Sequence, residues 1–191
     1  YVLNHTARAL KLRRSESVGL VVPDLANPFF ARVMARLEGL CGGCSHVLLA
    51  VASHEDPVLE SRAVAALLAR GVDGIVIAPS QPDLPDALRV AKRLTPVVFF
   101  DRDYGHPAYP TVLSDNTQGA GDLTRRVLAE APGDCVFFCG HAESPTIRLR
   151  IQAYADACSG AGRPELRGAV RVHPDDSPRA GWQLMSDYLK E

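Results

Sequence analysis

The 191 residues carry 21 Lys+Arg against 22 Asp+Glu, a net charge of -1, with 47% hydrophobic residues and a mean hydropathy of -0.01. That balance suits an ordinary globular chain with room for one large domain or two lobes, and it gives the chain as a whole no electrostatic footprint of a nucleic-acid binder. No apolar run approaches the ~18 residues needed to cross a bilayer, the start Tyr1-Val-Leu-Asn-His5 lacks the regions of a signal peptide, and an odd number of cysteines fits a reducing compartment better than a disulfide framework, so a cytoplasmic protein without membrane contact is expected.

The first fifteen residues gather Arg8, Lys11, Arg13 and Arg14 before the first acid, Glu16. Asn4 can cap a short helix there, but a helix of about nine residues is marginal alone in water, so a frayed basic terminus stays open as the alternative. The absence of an initial methionine suggests a fragment. Next comes the apolar run Val18-Gly-Leu-Val-Val22, which ends in Pro23-Asp24 and leads through Asn27 and Pro28 into an amphipathic stretch. Asn27 suits a helix cap, Pro28 suits the first helical position, and Phe29 and Phe30 fall at the carboxyl end of the first strand, where open α/β sheets bind ligands.

From there strands and helices alternate: strand near 46–52, helix near 57–70, strand near 73–78, helix near 83–94, strand near 96–100. The strands are continuous apolar runs, as strands covered on both faces read. In helix 57–70 a stripe of Leu59, Val64, Leu67 and Leu68 is expected to face the sheet, with Glu60, Arg62 and Arg70 elsewhere. A second series begins beyond Pro110, with strands near 111–114, 135–139 and 169–173 and helices near 117–131, 145–158 and 178–189. Two similar doubly wound parallel-sheet lobes with a cleft between them follow, divided as 1–15, 16–108 and 109–191. The second lobe is expected to be incomplete, because it stops after a helix whose next strand is absent.

Asp101 and Arg102 follow the strand near 96–100, and the planar fork of Arg102 suits bidentate binding of a sugar hydroxyl pair or a phosphate. The plainer alternative is an Asp–Arg pair closing a loop. Arg150 lies on the helix of the second strand–loop–helix unit and is a candidate from the opposite wall. Phe29 and Phe30 can stack on a sugar ring, although adjacent helical residues point about 100° apart, so one of them is expected to be core. Cys41-Gly-Gly-Cys44 sits at the end of a helix, where the macrodipole disfavours a thiolate, and the six histidines lack ligand spacing. Neither a metal nor a cofactor is expected. Gly119-Ala-Gly-Asp122 falls inside a helix and lacks the third glycine of a nucleotide fingerprint. No phosphate loop or nucleophile elbow is present, so an enzyme is not expected.

In order, Tyr1-Val-Leu-Asn4, Ala7-Arg-Ala-Leu10, Val18–Phe30, Glu60, Val72-Asp-Gly-Ile-Val-Ile-Ala-Pro79, Pro96-Val-Val-Phe-Phe-Asp-Arg102, Val112-Leu-Ser-Asp-Asn116, Arg150 and Ala153-Tyr154 resemble the effector-binding core of the lactose-repressor (LacI/GalR) family, over essentially the whole chain. Phe100-Asp-Arg102, Gly140 and Leu149-Arg150 look most like its fructose repressor (catabolite repressor/activator) branch. Leu3, Ala153 and Phe29 depart from pattern, and Phe29 bears on the ligand.

The resemblance implies a periplasmic-binding-protein-like fold and a ligand-responsive repressor. Its effector is a small sugar or sugar phosphate, met by Asn27, Phe29, Phe30, Asp101, Arg102 and Arg150. It also implies a homodimer that binds operator DNA through an absent head and a hinge of Asn4, Ala7, Arg8, Leu10 and Lys11, with Leu10 as a minor-groove wedge. A periplasmic-type sugar-binding protein of a transport system is the alternative.

Overall fold

A computed structural model describes residues 15–91, 95–130, 133 and 135–191. The chain divides into two compact units, one ending at Leu113 and the other running from Ser114 to Glu191. The hinge candidates Asn4, Ala7, Arg8, Leu10 and Lys11 lie outside the described residues.

The first unit is built on a parallel sheet of β1 (Ser17–Val22), β2 (Val47–Ala52), β3 (Gly74–Ile77), β4 (Val97–Phe100) and β5 (Thr111–Val112), in the order β2-β1-β3-β4-β5. Side chains alternate across a strand, so neighbours serve opposite faces. Val21, Ile75, Ile77, Val97 and Phe99 meet α2 (Pro57–Ala69) and α3 (Asp86–Ala91), whereas Leu20, Val22 and Phe100 meet α1 (Pro28–Gly43). Helices therefore cover both faces, which is why the strands read as unbroken apolar runs. The exception is the edge strand β2, none of whose residues is fully buried.

Two expectations need correction. The strand expected to open the second series pairs with β4 and closes the first sheet instead. In α2, Glu60 does not lie off the apolar stripe: it is fully buried, on the face that carries Ala63, Val64 and Leu67, while Leu59 is only half-buried. Glu60, Val64 and Leu67 stand at i, i+4 and i+7, so helical geometry puts the acid on the core face.

The second unit has a two-stranded parallel sheet of β6 (Phe137–Gly140) and β7 (Val170–His173), with α4 (Asn116–Glu130), α5 (Pro145–Gly160), a 3-10 turn at Pro164–Gly168 and α6 (Pro178–Tyr188). Both Gly119 and Gly121 lie inside α4, as the sequence suggested. Phe137 meets Tyr154 of α5 while its neighbour Phe138 meets Tyr188 of α6, so this sheet too is covered from both faces. Tyr154 is the centre of the small core with Cys158 and Leu166. Its hydroxyl shares one proton between Cys135 O at 2.6 Å and Leu166 O at 2.9 Å, satisfying two carbonyls that flank the sheet. Burial, and then the neighbouring Cys158 and Cys135, hold the Tyr154 pKa above its ordinary value.

Gly140 closes β6 where the backbone after β7 crosses it. A Cβ at Gly140 would lie 2.7 Å from Asp175 C and 2.8 Å from Asp176 Cα, with no flexible side chain to yield. Gly140→Ala is therefore expected to cost about 1–3 kcal/mol of stability, the range for forcing extra atoms into packed structure. Urea unfolding of the two proteins measures it, and superimposable curves would show that the 175–176 backbone moves aside freely.

Candidate functional site

The first unit concentrates its unusual chemistry at the carboxyl ends of its strands. Strand order reverses at β1, whose neighbours β2 and β3 lie on either side, and an open α/β sheet binds its ligands at such a switch point. Asn27 stands there as the N-cap of α1, its side-chain oxygen accepting from Phe29 N at 2.9 Å. Phe30 is 4% exposed and packs edge-on to Phe100 at 6.0 Å, which makes it core. Phe29 is half-buried and presents an aromatic ring beside it, 5.1 Å from Phe30. Of this adjacent pair one is core, as expected, and Phe29 is the more exposed of the two.

After β4, Asp101 adopts φ 65°, and Arg102 N donates to Phe100 O at 2.7 Å, so the chain turns within three residues. A positive-φ turn of this kind is rare and strained, of order 1–3 kcal/mol, and such strain clusters where a site must aim a side chain. What it aims is Arg102, only 7% exposed. The fork expected to be open to a ligand, or closed by Asp101, is held by another residue. Arg102 Nη1 and Nη2 donate to the two carboxylate oxygens of Glu55 at 2.7 and 2.5 Å, and Nη1 also reaches Pro79 O at 3.3 Å. Asp101 Oδ2 lies farther off, 3.7 Å from Nε. Burial works against the charge on Arg102, but the hydrogen bonds and charge of Glu55 outweigh it, and the pKa stands above the usual arginine value.

Glu55 comes from a second strained turn. His54 and Glu55 both have positive φ, 54° and 57°, and Asp56 N closes the turn on Ser53 O at 3.0 Å. Asp56 then caps α2, accepting from Val58 N at 2.7 Å and Leu59 N at 3.2 Å. Sequence reasoning missed Glu55, since its partner is 47 positions away and no local pattern announces the pair. It also misplaced Glu60, which lies below: Glu60 Oε2 accepts from Ser80 N at 2.6 Å. Glu60 Oε1, Ser80 Oγ and Arg102 Nε are buried without a hydrogen-bond partner among the described residues. Burial, more than any neighbour, pushes the Glu60 carboxyl above its usual 4.5.

Arg150 belongs to the second unit. Its Nε donates to Asn116 Oδ1 at 2.8 Å, and both residues line a pocket of about 580 Å³ with Leu123, Val127, Phe137 and Tyr154. Asn27, Phe29, Phe30, Asp101 and Arg102 are thus gathered in the first unit, and Arg150 is placed in the other. Among the described residues no group of three or more His, Cys, Asp or Glu can hold a metal ion. Burial, and then Cys44, raise the Cys41 thiol, and burial raises Cys135 and Cys139, which disfavours the thiolate at each. No helix among the described residues is long and apolar enough to cross a membrane.

Residues 15–191 match the family described as periplasmic binding proteins and the sugar binding domain of the LacI family. The chain is 33% identical over 94% of its length to the sucrose operon repressor of Klebsiella pneumoniae, covering 53% of that protein. It is 31% identical over 86% of its length to the fructose operon regulatory protein of Vibrio cholerae, covering 51%, and 30% identical over 82% to the catabolite repressor/activator of Escherichia coli, covering 47%. The chain spans about half the length of these curated relatives. Its fold is shared with the Cra transcriptional dual regulator of Pseudomonas putida, solved with fructose 1-phosphate, at a TM-score of 0.80 and 24% identity over 92% of this chain and 64% of that one. The transcription regulator CcpA of Lactococcus lactis gives 0.78 at 21% over 91% and 64%.

The buried Glu60 predicts a pH dependence. Its folded pKa is raised, so it contributes stability that is complete below the usual 4.5 and is lost as pH rises through the folded value. Glu60→Gln keeps an acceptor for Ser80 N but cannot ionise. Unfolding free energies measured from pH 4.5 to neutrality are expected to fall in the parent relative to the variant, and parallel profiles would show that the carboxyl ionises in the fold at no cost.

Proposed function

The chain belongs to the LacI family, and from that premise we propose that it is the effector-sensing part of a DNA-binding transcriptional regulator of repressor type, responding to a small sugar or sugar phosphate. The observation that carries the proposal is the match of residues 15–191 to the family's sugar-binding domain. The carboxyl edge of the first unit supports it, because that edge carries both the half-buried ring of Phe29, at the start of α1, and the carboxylates and guanidinium of Glu55, Asp101 and Arg102. An apolar ring flanked by a few convergent polar groups is the usual way a protein holds a sugar. In the second unit the proposed effector contact is Arg150, fixed by Asn116 in its pocket.

In this reading the basic leader is the hinge. Asn4, Ala7, Arg8, Leu10 and Lys11 enter the minor groove of an operator, with Leu10 as the wedge and the cations near phosphates, and two copies act together as a cytoplasmic homodimer. The relatives named above are an operon repressor, an operon regulatory protein and a catabolite repressor/activator. The transport reading therefore stands without a supporting observation.

The test is operator affinity of the full-length protein by fluorescence anisotropy, with and without added sugar. An effector is expected to change that affinity roughly 5–150-fold, the span of ordinary coupling free energies, and Leu10→Ala is expected to weaken operator binding. A full-length protein that binds sugar tightly but no DNA would overturn the proposal.

A further inference from the structure

We propose that Glu55 is the specificity-determining residue of the carboxyl-edge site, and that by neutralising Arg102 it makes the protein select an uncharged sugar and reject the corresponding phosphate ester. The inference rests on the sugar-sensing function proposed above and narrows the ligand class of that same site. Two independent observations carry it.

The first is the donor count on Arg102. A guanidinium has five N–H groups, and its value to an anionic ligand lies in a free planar fork that grips two oxygens at once. Here that fork is filled by Glu55, whose carboxylate makes both hydrogen bonds within 2.7 Å, and a third donor contact goes to Pro79 O. A phosphate could take the fork only by displacing a carboxylate already seated in it, and would then lie against that displaced charge. A sugar hydroxyl has no such conflict. Glu55 is 26% exposed, and its carboxylate has lone pairs beyond those that Arg102 uses, so it can accept from a hydroxyl while still bound to the guanidinium.

The second observation is the charge of the surrounding loops. Residues 23–27, 53–56, 78–85 and 101–110 follow the strands β1 to β4, and they carry Asp24, Glu55, Asp56, Asp83, Asp101 and Asp103. Arg102 is the only Lys or Arg in those segments. Even before a ligand arrives, then, the edge holds an excess of negative charge that repels a phosphate and favours a donor-rich neutral polyol. The half-buried ring of Phe29, at the start of α1 on the same sheet edge, suits the apolar face of such a molecule.

The experiment is calorimetric titration of the full-length protein with a panel of neutral sugars (sucrose, fructose, ribose, glucose), their phosphate esters and inorganic phosphate, on the parent and on Glu55→Gln. Glutamine is nearly isosteric and leaves one acceptor for Arg102, and thermal unfolding verifies that the variant is folded; Glu55→Asp, which keeps the charge, serves as the second variant. The expected result is that the parent prefers a neutral sugar over its phosphate ester by at least about tenfold, that Glu55→Gln reduces this preference by about tenfold or more, and that Glu55→Asp retains it. A parent that prefers the ester, or a preference unchanged in Glu55→Gln, overturns the assignment while leaving sugar sensing intact. Binding of no panel member by the parent overturns sugar sensing itself, and the role of Glu55 with it.

Discussion

The paired guanidinium and carboxylate of Arg102 and Glu55 hold the carboxyl edge of the first unit together. Glu55 follows β2, Arg102 follows β4, and the shared contact with Pro79 O lies beyond β3, so one cation ties three strand ends. Ser53 completes the set, since its backbone N–H and its hydroxyl both donate to Val22 O at the end of β1. A nearly buried charge is costly unless fully compensated, and the pairing of Arg102 shows how the site meets that cost: two strained turns are accepted so that a bidentate partner arrives at the right place. The loops that a ligand would meet are therefore positioned by hydrogen bonds and an ion pair of the chain itself.

Below this layer lies Glu60, an acid on the core face of α2. It holds the chain after β3 through Ser80 N, and so it fixes the segment that delivers Pro79 O to Arg102. The two acids differ in role because they differ in surroundings. Glu55 reaches both solvent and a cation, whereas Glu60 is fully buried, and that burial outweighs the lowering effects of Ser80 and of the Arg102 charge, which is why its pKa is raised. The second unit solves a comparable problem with a neutral group, the Tyr154 hydroxyl, which joins the carbonyls of Cys135 and Leu166 without placing a charge in a small core.

Much of this order is legible in the sequence where it depends on local physics. Asn27-Pro28 and Asp56-Pro57 start helices where a side-chain acceptor and a fixed φ favour them, and the unbroken apolar runs of β1, β3 and β4 announce a sheet covered on both faces. Phe29 and Phe30 differ in burial, half-buried against buried, because helical geometry separates any adjacent pair. What escapes is what depends on distant partners. Thr111–Val112 is too short to reveal which sheet it joins, and only pairing with β4 decides it. Glu60 carries a polar name on an apolar face, so a rule that sorts by residue type overrides the spacing that would have placed it correctly. The partnership of Glu55 with Arg102 leaves no periodic trace, because it is set by two turns of unusual backbone and not by a repeating pattern.

The turn at His54 and Glu55 makes two neighbours of identical backbone class unequal in their tolerance of change. Both sit in the left-handed region, where glycine or asparagine fits without the roughly 1–2 kcal/mol borne by other residues. His54 is exposed, and the hydrogen bond from its backbone N to Pro23 O survives any side chain except proline, so drift toward glycine or asparagine there relaxes the chain at no expense to the site. At Glu55 the same relaxation strips a nearly buried guanidinium of its carboxylate, a loss of about 3 kcal/mol that exceeds the strain relieved. Selection acting on foldedness alone would thus retain an acid at Glu55 in a conformation that disfavours it, while leaving the adjacent position free to vary.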